Sequence, residues 1–436
     1  MREKSLTGPA IARPAAEALA RSAAPQTHIP LLLVSAITVA LLYVGASKSM
    51  GLPVTDLVEY RCYGLAFWGG QPAVDASHLA ACASYLGSTH TVAFHILPRE
   101  YGPLALIPFS LPLLGPGAWY PWLFATEMIA VVGGIAWLLH RYAAAGSVHA
   151  WLFYVMLGSM ATAAARFDVV PAACVLAAFI ARKRSHHALS WVLLAVGVAL
   201  KFYPLLLVPL WAIDAWRNRA SRPFHRGPLA FGLTLAVPFG LGALLDPSHV
   251  LDPVRFMGSR CVELESTPAS VSYVLARLTG SPVTFSNAYH AVCQQSPALA
   301  SIGAGMTALA LAGMAAVLYL NWRGRLALPL ASIALLILAI LGAKVFSPQY
   351  LLWVSPLLAM EYGLRSRVFI GWGLVCLLTT VIFPLGFDSL PLVALHLSSD
   401  VVVPIAALLR NLTMVVLLLC GAVVSLRGDK SVATSD

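Results

Sequence analysis

Apolar residues in this chain come in long unbroken runs. The first is Ile29–Ser47, and others lie near 103–114, 119–139, 149–165, 169–181, 188–200, 202–213, 228–245, 298–320, 326–343, 350–364, 368–385 and 401–426. A helix needs about 20 apolar residues to cross the hydrocarbon of a bilayer. The pattern therefore predicts an all-α, polytopic integral membrane protein. The 103–114 run is short and bracketed by Pro103 and Pro116, which predicts a re-entrant or interfacial segment. Counting 103–140 as one crossing gives about twelve transmembrane helices. Two large polar stretches separate the runs, at 48–102 and 246–297, and polar chemistry concentrates in such loops. There is no internal repeat, low-complexity stretch or separate soluble domain. The organisation expected is a tail over 1–28, one membrane domain over 29–426 and a second tail over 427–436.

Composition sharpens this picture. Of 436 residues, 59% are hydrophobic and only 11% charged, against roughly 25% charged in a soluble domain. A soluble enzyme, a disordered protein and a nucleic-acid-binding domain are excluded. The net charge of +10 is a topology signal, because Lys and Arg collect in cytoplasmic loops. Arg2, Lys4, Arg13 and Arg21 of the tail fit on one side with Arg182-Lys183-Arg184, with Arg217, Arg219, Arg222 and Arg226, with Arg323 and Arg325, with Arg365 and Arg367, and with Arg427 and Lys430. Both termini are then cytoplasmic. Asp56, Glu59, Asp75, Glu100, Asp168, Asp246, Asp252, Glu263, Glu265, Asp388 and Asp400 fall on the opposite, exterior side. Cys62 and Cys82 share one exterior loop, and Cys261 and Cys293 the other. Two disulfides in an oxidising compartment and four free thiols are both open readings.

Some charges lie too deep to be topology signals. The runs 169–181, 188–200 and 202–213 are too short to span, at about 1.5 Å per residue. Their exterior ends carry Arg166-Phe167-Asp168 and Lys201-Phe202-Tyr203-Pro204. Lys344 ends the 326–343 run in the same way. Charge at that depth needs partners or a wet cavity. Arg166, Lys201 and Lys344 at one sunken level suit a phosphate or pyrophosphate whose lipid tail lies in the bilayer. The structural reading is an Arg166–Asp168 pair and a Lys201 that snorkels to the headgroups.

The first exterior loop opens on Thr55-Asp56-Leu57-Val58-Glu59-Tyr60. Asp56, Glu59, Tyr60, Tyr63 and Phe67 follow 3–4 spacing and predict an amphipathic surface helix. Thr55 or Asp56 is its expected cap. A carboxylate at the mouth of a polar membrane cavity is a candidate general base. It would take the proton from an acceptor hydroxyl attacking a sugar's anomeric carbon. A lipid phosphate leaves already ionised, and cations stabilise its charge. A plain helix cap is the structural reading of Asp56, and an ion pair with Arg61 or Arg99 that of Glu59.

An Asp in the first exterior loop, after the first helix, resembles the GT-C glycosyltransferases. More narrowly the chain resembles family 87 of that group, the bacterial polyprenyl-phosphate-mannose-dependent mannosyltransferases. The matching stretches are Asp56-Leu57-Val58-Glu59-Tyr60, Tyr101-Gly102-Pro103-Leu104-Ala105, Arg166-Phe167-Asp168-Val169-Val170-Pro171, Lys201-Phe202-Tyr203-Pro204, Ser347-Pro348-Gln349-Tyr350-Leu351-Leu352-Trp353 and Glu263-Leu264-Glu265-Ser266. The resemblance implies inverting sugar transfer, mannose favoured, from a polyprenyl-phosphate donor to a lipid or glycan acceptor on the extracytoplasmic side of a bacterial cell membrane. It implies Asp56 as base and basic residues at the donor phosphate. Arg166, Lys201, Arg260 and Lys344 are assigned there. Glu59, Tyr60, Tyr101, Asp168, Tyr203, Glu265, Gln349 and Tyr350 are assigned to substrate. Partners are the donor, the acceptor and membrane lipids, with no nucleic acid. No cofactor is expected. Asp56, Asp168 and Glu265 are candidates for a hard divalent cation, but donors of this class are usually handled without one. Two departures bear on the sugar and the acceptor. The family often has Tyr-Pro-Pro where Tyr101-Gly102-Pro103 stands. The mannosyltransferase of phosphatidylinositol mannoside synthesis has a His-rich segment where Gln349-Tyr350 follows Ser347-Pro348.

Other motifs are weaker. His186-His187 reads as a solvated connector, and His78, His90 and His95 lack metal spacing. There is no Walker-type loop and no Gly-x-Ser-x-Gly elbow. Arg410, inside the last run, is expected to face the bundle. The rival class is a transporter or flippase of a lipid-linked or anionic substrate, which also uses buried charge and short Pro-interrupted helices. A catalytically dead relative would be expected to lack Asp56.

Overall fold

A computed structural model describes residues 30–50, 55–86, 94–219, 225–288, 291–364, 366–387 and 399–432, without the side chains of 399–400 and 422–432. The expected tail over 1–28, together with His90, Arg222, Arg365 and Asp388, lies outside the described residues. The described residues are 77% helical and 3% strand. Helix α1 (Leu31–Met50) leads to α2 (Asp56–Ala76) and the short α3 (Cys82–Leu86). A broken run over Pro103–Leu114 holds α4 (Leu106–Ser110) between two 3-10 turns. Next come α5 (Tyr120–Tyr142), α6 (Ser147–Gly158), α7 (Val169–Lys183), α8 (His187–Leu200), α9 (Val208–Arg217) and α10 (Arg226–Leu245). The second loop builds α11 (Asp252–Ser259), α12 (Thr267–Thr279), β1 (Thr284–Ala288) and β2 (Ala291–Gln295). The chain ends with α13 (Leu299–Trp322), α14 (Leu328–Gly342), α15 (Leu351–Tyr362), α16 (Arg367–Thr380) and α17 (Ser399–Val432).

Among the described residues, six helical stretches are long and apolar enough to cross a membrane. They are α1, Gly117–Tyr142, α10, α13, Arg367–Gly386 and Val401–Gly421. Along α10 and α13, Leu233, Leu244, Leu309 and Leu311 point outward. The segment at 103–114, expected to be re-entrant or interfacial, is a short α-helix between two 3-10 turns that carry Pro103 and Pro112. Helices α6, α7, α8 and α14 have only 12, 15, 14 and 15 residues. They cover about 18–22 Å of a hydrocarbon core about 30 Å thick.

The α7–α8 hairpin sets the level of the site. The chain reverses at Ser185, which has φ +64°, so the start of α7 and the end of α8 lie side by side. Those ends carry Asp168 and Lys201. At the opposite end Lys183 pairs with Glu361 at 2.5 Å and Arg182 pairs with Asp214, tying α7 to α15 and α9. The segment ahead of α4 packs on the last turn of α8: Gly102 N–H donates to Leu200 O at 3.1 Å. A Cβ on Gly102 would lie 2.2 Å from Ala199 O, so this backbone approach requires glycine.

The structure departs from the all-α expectation in the second loop. β1 and β2 form an antiparallel hairpin, and Glu263 bridges Cys293 beside it. Leu264 N–H donates to Val292 O at 2.9 Å and Gln294 N–H to Val262 O at 3.0 Å. Extended backbone here lets a short loop satisfy its amides. The open cysteine question is resolved into two disulfides, Cys62–Cys82 and Cys261–Cys293. The expected C-terminal tail is helical as far as Val432, as a continuation of α17.

Candidate functional site

Asp56 is the first residue of α2. Thr55 is the cap, its hydroxyl accepting from Val58 N–H at 3.4 Å. The capping reading of Asp56 is thereby overturned, and its carboxylate is free to reach across the chain. Arg166 Nη2 meets Asp56 Oδ2 at 2.8 Å. Thus Arg166 pairs with Asp56 rather than with Asp168, the pairing considered from sequence.

Asp168 serves Lys201. Lys201 Nζ donates to Asp168 Oδ1 at 2.7 Å, and Trp353 Nε1–H donates to the same oxygen at 2.8 Å. Four rings surround the ammonium, with centroids 5.3 Å away for Tyr101, 5.5 Å for Phe167, 5.8 Å for Tyr350 and 5.7 Å for Trp353. Aromatic faces attract a desolvated cation. Lys201 is therefore held in place rather than snorkelling to a surface.

A cavity of about 680 Å³ opens against these residues. Asp56 and Glu59 line it from α2, Tyr101 from the segment before α4, and Arg166 and Lys201 from the α7–α8 level. Arg260 and Glu265 come from the second loop, and Gln349 and Tyr350 from the turn before α15. Nine of the sequence-assigned residues thus share one wall. They come from segments separated by up to 294 positions (Asp56 to Tyr350). Gln349 Oε1 is buried there without a hydrogen-bond partner among the described residues.

Four of the assigned residues do not line the cavity. Tyr60 faces the core: its ring stacks on Phe109 at 4.3 Å and meets Phe167 edge-on at 5.7 Å. Tyr203 stacks on Trp353 at 4.3 Å, behind the cavity wall. Asp168 is fully buried behind Lys201. Lys344 does not line the cavity; its Nζ donates to Gly258 O at 2.7 Å and its carbonyl accepts from Glu263 N–H at 2.9 Å. Tyr60 was chosen on helical spacing, and Asp168, Tyr203 and Lys344 on their depth at the ends of short runs; neither criterion tells cavity from protein interior or loop backbone.

Sequence reasoning left out three carboxylate-bearing or cationic partners. Glu100 and Glu263 line the cavity, and both bracket Arg260. Arg260 pairs with Glu263 and lies 3.9 Å from Glu100. Glu263 Oε2 also accepts from Phe346 N–H at 3.1 Å. Arg410 holds Glu265 through its carboxylate at 3.1 Å and its carbonyl at 2.6 Å. Asn411 adds bonds to Glu265 O and Ser270 Oγ at 3.3 and 3.1 Å. The signal for Glu100 and Glu263 was their place beside residues already chosen; the signal for Arg410 was its charge within an apolar run.

Electrostatics follow from burial. Burial, with the neighbouring charges of Glu100 and Asp56, pushes the Glu59 carboxyl well above the usual carboxylate range. Burial pushes Glu100 up to about 7, against the pull of Arg260. Burial also raises Glu263 and takes Glu265 to about 7, with Arg260 and Arg410 respectively opposing the change. Asp56, Asp168 and Glu265 do not gather into one cation cradle. Each faces its own basic partner, and among the described residues no group of three or more His, Cys, Asp or Glu is arranged to hold a metal ion.

Compared with protein-family models, with curated proteins and with solved structures, the chain matches none.

Proposed function

We propose that the chain is an integral membrane glycosyltransferase of GT-C type, with about twelve crossings made by the six long helices and the shorter ones between them. It moves a sugar, mannose favoured, from a polyprenyl-phosphate donor to a lipid or glycan acceptor on the extracytoplasmic side of a bacterial membrane. The observation that carries this reading is the joining of Asp56 with Arg166, Lys201 and Arg260 on one cavity, at the end of helices too short to span. A lipid phosphate at that level can meet cations while its chain stays in hydrocarbon.

The chemistry divides among these residues. Asp56 accepts the proton of the acceptor hydroxyl as its oxygen bonds to the anomeric carbon. The bond from that carbon to the phosphate oxygen breaks on the opposite face, so the centre inverts. The phosphate leaves with the bonding pair, and the guanidinium and ammonium groups stabilise its charge. Tyr101 and Tyr350 line the cavity and offer the sugar their exposed edges. The Gln349 amide oxygen, without a hydrogen-bond partner among the described residues, offers an acceptor to a sugar hydroxyl.

Proteoliposomes given labelled polyprenyl-phosphate mannose and an acceptor lipid extract test the reaction class. The expected result is label on the acceptor and stoichiometric free polyprenyl phosphate. Intact donor crossing the bilayer with no phosphate release would place the protein among transporters and overturn the proposal.

A further inference from the structure

Each cation that lines the cavity already has a carboxylate. Arg166 holds Asp56 at 2.8 Å, Lys201 holds Asp168 at 2.7 Å, and Arg260 holds Glu263. An entering anion therefore competes with a carboxylate for each cation. The three pairs resist this differently. Lys201 and Asp168 are 14% and 0% exposed, so stripping Lys201 leaves a carboxylate with Trp353 as its remaining donor in a dry site. Arg260 and Glu263 are 11% and 6% exposed. Arg166 and Asp56 are 21% and 27% exposed. Water reaches this pair and can take over the bonds that either side chain gives up. A wet pair gives the least net stabilisation and is the easiest to open.

We propose that Arg166 exchanges partners: it covers Asp56 in the empty protein and moves to the phosphate of the bound donor, uncovering Asp56. This rests on the reading of the cavity as a lipid-phosphate site. Arg166 then couples two events that other arrangements would leave independent. The base is neutralised while no phosphate is present and becomes available once the donor has arrived. The order that follows is donor phosphate first, then deprotonation of the acceptor hydroxyl. The geometry suits the exchange, because Arg166 and Asp168 lie two residues apart on one segment. The inner pair anchors that segment while the outer guanidinium changes partner.

Linkage makes the proposal measurable. If phosphate and Asp56 compete for one guanidinium, removing the Asp56 charge tightens phosphate binding, and the effect needs Arg166. The probes are inorganic phosphate and farnesyl phosphate, titrated calorimetrically into the full-length protein in detergent. A preference for farnesyl phosphate identifies a lipid source, and equal affinities identify a free phosphate. Asp56→Asn should bind the probe about tenfold more tightly than the native chain, on the order expected for a single coupling between sites. In an Arg166→Gln background the same Asp56→Asn change should give no gain. Equal or weaker binding by Asp56→Asn overturns the exchange, as does an equal gain in both backgrounds, which would be a simple field effect. Infrared difference spectra keep the test independent of Arg166 variants. Phosphate addition should shift a carboxylate band of the native protein that Asp56→Asn lacks, and an unshifted band overturns the proposal. If the native chain binds neither probe, the phosphate reading itself falls, a result seen before any variant is made.

Discussion

Two ion pairs sit on one three-residue segment, Arg166-Phe167-Asp168, and behave as opposites. The Lys201–Asp168 pair is dry, boxed by rings and bonded to the Trp353 indole. The Arg166–Asp56 pair is wet and links two distant parts of the chain, α2 and the entry to α7. Burial makes breaking the first costly, because either partner left alone is an unpaired buried charge. Exposure makes the second cheap to open. The dry pair builds the wall, and the more exposed pair is the part of the wall that can open.

The largest expected effect breaks the dry side. Asp168→Asn removes the carboxylate that pairs with Lys201 and should destabilise the protein by about 3–5 kcal/mol, read as a steep fall in apparent unfolding temperature in detergent. Next comes the scaffold of the wet side. Cys62 lies on α2 with Asp56 and is joined to Cys82. Replacing both by Ser should cost about 3 kcal/mol and loosen Asp56 while leaving Lys201 in its ring box, which trypsin accessibility of the first loop would report.

Glu100 gives a smaller, pH-dependent effect. Its carboxyl is raised by burial from 4.5 to about 7, so the folded state holds its proton more tightly than the unfolded chain. The associated stability is fully present below about pH 4.5 and is lost as pH rises to about 7. Glu100→Gln should flatten that slope, a change on the order of 2 kcal/mol after allowance for its partial exposure. Apparent unfolding temperatures between pH 4.5 and 8 check it. An unchanged slope would move the titration to another group. The smallest stability effect belongs to Asp56→Asn, at roughly 1 kcal/mol or less.

How far the sequence revealed this arrangement depends on what each residue must reach. Arg166, Asp168 and Lys201 were legible because charges amid short apolar runs have few places to go. Asp56 was legible from the opening of a surface helix. Its true partner was not, because from sequence Arg166 was matched to its neighbour Asp168, and only the fold brings Asp56 to it. Tyr60 shows the limit of periodicity and Tyr203 that of depth: each places a residue near the site, and whether it meets core or cavity depends on distant segments. Glu265 was chosen and Arg410 noticed, yet their bond spans 145 positions and leaves no local trace. The hairpin β1–β2 was missed because its strands are only five residues each and largely polar.

The central claim is that Asp56 is the base of a sugar transfer from a lipid phosphate. The direct measurement is turnover of polyprenyl-phosphate mannose by purified native protein and by Asp56→Asn in the same proteoliposomes. The account predicts that the native protein transfers sugar and that Asp56→Asn loses at least about 10²–10³-fold in kcat, while it still binds farnesyl phosphate and unfolds within a few degrees of native. Full turnover by a folded Asp56→Asn protein would contradict it.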